Sequence, residues 1–104
     1  MADSDWLTVA QISDLPKGKT LCVEFRDQEV LLCHNAEGLF AVNNLCSHAE
    51  ARLSEGKMKG SRILCPLHGA AFDIKTGEAL SRPASQPISC YRVRQQGDDI
   101  QLAD

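Results

Sequence analysis

Two short segments, Cys46-Ser47-His48 and Cys65-Pro66-Leu67-His68, constrain this chain more than any other part of it. Each carries one thiol and one imidazole, and sixteen residues lie between them. Side chains that act on one site across such a gap must be brought face to face by two loops on a common framework. Chance pairing of both residue types at both places is improbable for ordinary surface residues. Cys46, His48, Cys65 and His68 are therefore the candidate metal ligands. His34 stands alone at the end of an apolar run and reads as an ordinary residue.

The framework reads as β-structure. Trp6 to Ala10 opens a series of short strand-type runs, followed by a turn-prone stretch ending at Pro16-Lys17-Gly18. Leu21, Val23 and Phe25 alternate with Cys22 and Glu24, the period of a half-buried strand. Val30 to Cys33 follows, and Asn35-Ala36-Glu37-Gly38 turns into Leu39 to Val42. Near the end, Ile88 to Arg94 and Ile100 to Leu102 flank a hairpin turn at Gln96-Gly97-Asp98-Asp99. No window shows a helical stripe, so the expected class is all-β, small and antiparallel. The segment of about 44–72 differs: it holds both ligand pairs, Gly56, Gly60 and Gly69, and one strand-like run, Arg62 to Leu64. It reads as an insert for the metal site within a single domain of residues 1–104.

A formal net charge of −3 argues against nucleic acid or an anionic membrane as partner. No stretch approaches the roughly twenty apolar residues of a membrane span. Met1-Ala2-Asp3-Ser4-Asp5 is acidic and lacks the basic and apolar parts of a signal peptide, so the expected compartment is the cytoplasm. Setting aside the two candidate ligands, Cys22, Cys33 and Cys90 have no disulfide-framework spacing and are expected to be buried free thiols.

Zinc accepts two Cys and two His, but zinc fingers usually group their ligands by type. Here each segment mixes them. That suits a dinuclear site with one ligand type per metal, as in [2Fe–2S] centres where histidines replace cysteines on one iron. Cys46 and Cys65 would then hold the inner iron, and His48 and His68 the outer one. Pro66 stiffens the second segment, and Gly69 after His68 permits a tight turn.

On these residues the chain resembles the Rieske-type ferredoxins of bacterial aromatic-ring-hydroxylating dioxygenase systems. The match runs through Cys46-Ser47-His48, Leu53-Ser54-Glu55-Gly56, Cys65-Pro66-Leu67-His68-Gly69, Phe72-Asp73 and Thr76-Gly77. Arg82-Pro83-Ala84 with Pro87-Ile88 resembles the proline loop that covers the cluster in this family. The resemblance implies a Rieske iron–sulfur fold: a small antiparallel β-sandwich or incomplete barrel with an inserted cluster-binding subdomain. It also implies one [2Fe–2S] cluster and the role of a one-electron carrier, not an enzyme alone. Electrons would come from an NAD(P)H-dependent flavoprotein reductase and go to a terminal oxygenase, with the carrier expected to be monomeric. The alternative is a small Rieske subunit of another oxidoreductase, of the nitrite-reductase type.

The respiratory branch of the family carries an extra cysteine in each ligand loop. The equivalent positions here are Ala51 and Leu67, so that disulfide cannot form. Ala70 and Phe72 replace its hydroxyl-bearing serine and tyrosine, which implies a low reduction potential. By the same resemblance, His48 and His68 would point outward, with Ala49, Glu50, Ala51, Leu67 and Pro83 forming a docking face.

Overall fold

Leu21, Val23 and Phe25 alternate with their neighbours because their strand covers a core with one face only. The computed structural model, which describes residues 6–46, 51–67, 69–80 and 86–103, places them in β2 (Lys19–Phe25). β2 turns back through Arg26 and Asp27 into β3 (Gln28–Asn35). Both turn residues have positive φ, 50° and 65°, as in the mirror-image turns whose twist suits a hairpin. β3 returns as β4 (Gly38–Asn43). At the C-terminal end β8 (Cys90–Gln96) and β9 (Asp99–Ala103) form a hairpin, against which β1 (Leu7–Gln11) pairs. The result is one antiparallel six-stranded sheet in the order β1-β9-β8-β4-β3-β2. Its edge strands β1 and β2 approach each other without pairing, so the sheet curls into an incomplete barrel.

Between β4 and β8 the chain builds a second antiparallel sheet from β5 (Lys57–Lys59), β6 (Arg62–Leu64) and β7 (Ala71–Asp73). The sequence reading expected β6 alone. β5 and β7 are three-residue strands, too short for an alternation to register.

Two apolar cores follow. Leu15, Phe25, Val30, Leu32, Ala41, Ile100 and Leu102 fill the barrel. Leu31, Cys33, Val42, Leu53, Ile63, Phe72, Ile74 and Ile88 pack between barrel and small sheet, together with Cys46 and Cys65. β3 is the wall shared by both: Val30 and Leu32 face one core, Leu31 and Cys33 the other. Two-sided burial explains why Val30-Leu31-Leu32-Cys33 is an unbroken apolar run.

His34 is a structural residue. Its Nδ1 lies 2.7 Å from the Leu15 carbonyl oxygen, which can only accept, so that nitrogen carries the proton. The expectation of three buried thiols holds for Cys33, whose pKa burial pushes up to about 12. It fails for Cys22 and Cys90, which are exposed on the outer faces of β2 and β8.

Candidate metal centre

The two ligand segments form loops that close in the same way. In the first, Leu45 and Arg52 face each other as an isolated antiparallel bridge, and the Cys46 N–H donates to the Ala51 carbonyl at 2.9 Å. In the second, Leu64 and Ala71 are the matching pair on β6 and β7, and the Cys65 N–H donates to the Ala70 carbonyl at 2.7 Å. Each loop therefore starts with a cysteine and ends with a buried alanine, at the mouth of a two-stranded neck.

Cys46 and Cys65 are 6% and 2% exposed and belong to the same core. Their thiols lie in mutual hydrogen-bonding contact, and no disulfide joins them. Burial raises the Cys65 pKa, and Cys46 adds to that rise; the Leu67 backbone N–H, directed at the sulfur, opposes it. Two soft donors meeting in an apolar core are well placed to bind a metal, which takes up thiolate as it displaces the proton. The thiol pair therefore fits an iron–sulfur group. His48 and His68 lie outside the described residues, as do Ala49, Glu50 and Pro83 of the expected docking face.

Polar side chains at the foot of the first loop were not anticipated from the sequence. Asn43 Oδ1 accepts the Leu45 N–H at 2.9 Å, while its Nδ2 donates to Gln28 at 3.0 Å and to the Tyr91 hydroxyl at 3.3 Å. Asn44, fully buried, accepts the Ser54 N–H at 2.8 Å and donates to Glu29 Oε1 and Ser54 Oγ, each at 3.1 Å. Glu29 also takes Arg52 through two bonds of 2.9 and 3.2 Å. Arg52 first, and then Asn44, hold the Glu29 carboxyl below its ordinary range. In sequence, Asn43-Asn44 looks like a plain turn; the signal that could have found it is a pair of amides placed immediately before a ligand loop.

The second loop is shaped by backbone instead. Gly69 has φ +70°, a conformation that side chains with a Cβ adopt rarely. Gly56 is extended, but a Cβ there would collide with the Leu64 carbonyl oxygen, one residue before Cys65. Gly56 is thus required where the chain before β5 passes under the second loop. Of the expected docking residues that are described, Leu67 is exposed at 46% whereas Ala51 is buried. Leu45, beside Cys46 and 52% exposed, is a surface residue the sequence reading missed.

The pattern of the Rieske [2Fe-2S] domain family matches residues 5–92. The ferredoxin component of the naphthalene 1,2-dioxygenase/salicylate 5-hydroxylase systems of Ralstonia sp. is 37% identical over 90 residues, covering 86% of each chain. Among solved structures, the ferredoxin of carbazole 1,9a-dioxygenase from Nocardioides aromaticivorans superposes with a TM-score of 0.90 at 34% identity. The match covers 94% of this chain and 96% of that one. A chain from the complex of reduced oxygenase and oxidized ferredoxin in carbazole 1,9a-dioxygenase gives 0.89 at 30% identity, covering 95% and 93%.

Proposed function

The chain belongs to the Rieske [2Fe-2S] domain family, and on that footing we propose that Cys46 and Cys65 hold one iron of its [2Fe–2S] cluster and His48 and His68 the other. The observation that carries the assignment is the meeting of two buried thiols at the necks of two loops with the same closure. Residues 1–104 then read as one domain, with about 44–72 as the cluster-binding insert.

The protein is the ferredoxin component of a dioxygenase system, an electron carrier and not the catalytic oxygenase. When bound, the cluster supplies one-electron transfer, the step that separates a two-electron hydride donor from iron centres that take electrons singly. The chain's own part is to hold that group in a fixed and mostly dry seat. The apolar core around Cys46 and Cys65 excludes water on the inner side. The Leu67 N–H lies against the Cys65 sulfur, a donor of the kind that tunes potential. Leu45, just before Cys46, and Leu67, just before His68, are each exposed and available for brief contact with a partner.

A terminal oxygenase is the acceptor in this reading and a flavoprotein reductase the donor, with the carrier a monomer in the cytoplasm. No helix among the described residues is long and apolar enough to cross a membrane. The test is analysis of anaerobically purified protein. About two irons and two acid-labile sulfides per chain are expected, with stepwise reduction of an oxygenase partner once a reductase and NADH are added. Stoichiometric zinc without labile sulfide would overturn the reading.

A further inference from the structure

Asn44 and Asn35 are the two polar residues buried among the described ones, and both tie the barrel to the metal-site segment. They do so at opposite ends of β4. Asn35 donates to the Gly60 carbonyl in the β5–β6 turn at 3.1 Å and accepts the N–H groups of Glu37 and Gly38. Those bonds fix a turn remote from the ligand loops. Asn44 instead sits two residues before Cys46, and its partners lie on both legs of the first loop and beneath it.

Every polar group of Asn44 is used. Its N–H donates to the Glu29 carbonyl at 2.9 Å and its carbonyl accepts the Leu53 N–H at 2.7 Å. Its side chain bonds Ser54 twice and the Glu29 carboxylate once. Glu29 then reaches Arg52, which stands across the loop neck from Leu45. Glu29 thus grips the incoming leg through Asn44 and the outgoing leg through Arg52. The bonds are directional: Asn44 must donate, and Glu29 must accept.

We propose that Asn44 is a positioning residue for the cluster, forming with Glu29 a donor–acceptor latch that fixes the backbone of the Cys46 loop. The inference rests on the ligand assignment made above and goes beyond it by giving a role to residues that touch no ligand atom. It predicts that the polarity of the latch matters, not merely its presence. Asn44→Asp keeps the shape of the side chain but sets one carboxylate against another at the 3.1 Å contact. Glu29→Gln in the same chain supplies an amide that can donate to the new carboxylate, restoring that bond with donor and acceptor exchanged. It gives up the Arg52 Nε bond to the same atom, so that recovery is partial.

The experiment uses the full-length, cluster-loaded protein. It measures the rate of visible-absorbance loss well below the melting midpoint and the electron paramagnetic resonance spectrum of the reduced form. Asn44→Asp should release its cluster faster by on the order of tenfold, as do changes to residues that support metal ligands, and should shift the g-values. Asn44→Asp with Glu29→Gln should bring both readouts back towards wild type. Asn35→Asp is the control: it should lower the melting midpoint while leaving the spectrum unchanged. The latch is refuted if Asn44→Asp loses its cluster no faster than Asn35→Asp and keeps the wild-type spectrum, or if the double variant shows no recovery. Should Asn44→Asp fail to fold, Glu29→Gln and Ser54→Ala alone carry the test, and wild-type behaviour of both would equally refute it. Failure of the ligand assignment is separate, because it would appear as missing iron and sulfide in the wild-type protein.

Discussion

The loops beginning at Cys46 and Cys65 share one closure but are braced by different physics. The first is held by side chains: Asn43, Asn44, Glu29, Arg52 and Ser54 make directional polar bonds around its foot. The second is held by backbone, through β6–β7 pairing, the turn at Gly69 and the close approach of Gly56 to Leu64. Side-chain bonds can be exchanged or titrated one at a time, whereas a close backbone contact either fits or does not. The first loop should therefore answer to graded changes and the second to steric ones.

The largest effect tests what the loops have in common. Cys46→Ser and Cys65→Ser should each abolish stable cluster binding, seen as loss of most iron and labile sulfide from purified protein. A clear inequality between them would break the symmetry of the closure. Next, Gly56→Ala should destabilise the protein by about 2–4 kcal/mol, because the added methyl meets backbone and not a movable side chain. Thermal or denaturant unfolding measures it, and a loss below about 1 kcal/mol would show that the second loop can yield.

Ala70 and Phe72 are fully buried in the core that holds both cysteines, and neither offers a hydroxyl. Rieske centres span about −150 to +300 mV, partly through hydrogen bonds to sulfur. The wild-type midpoint is expected in the lower part of that span, and Ala70→Ser with Phe72→Tyr should raise it in protein-film voltammetry. An unchanged midpoint would mean that the new hydroxyls bond elsewhere.

The smallest effect belongs to the first loop alone. Because its partners lower the Glu29 pKa from 4.5, its carboxylate stabilises the fold above that value. The stabilisation is lost as pH falls through the lower, folded-state pKa. The pair is solvent-exposed, so salt should weaken it. Melting midpoints of wild type and Glu29→Gln should therefore differ near neutral pH in low salt and converge on acidification. A constant difference at every pH would assign the effect to shape and not to charge.

Much of this was legible in the chain. The spacing of Cys46, His48, Cys65 and His68 pointed to the cofactor, and Leu21-Val23-Phe25 to a half-buried strand, because short-range patterns record them. Structure that depends on distant partners was not legible. Lys57–Lys59 carries no alternation long enough to detect and becomes β5 only by pairing with β6. Cys22 and Cys90 looked like core thiols until the register put them on outer faces. Ala51 looked like surface, yet the neck turns it inward. Asn44 and Glu29, fifteen residues apart, have meaning only once β3 and the loop lie side by side.

The shared wall β3 has a consequence for how the molecule opens. Leu31 and Leu32 are each fully buried, on opposite sides of one strand. Exposing either core to solvent removes support from the other, so the β3 amides can exchange with deuterium only when both are lost together. They should be the slowest in the chain, exchanging at the rate set by complete unfolding. Leu45 and Leu67 lie outside that strand and are exposed. A partner that covered and released either one would therefore leave both cores closed to water.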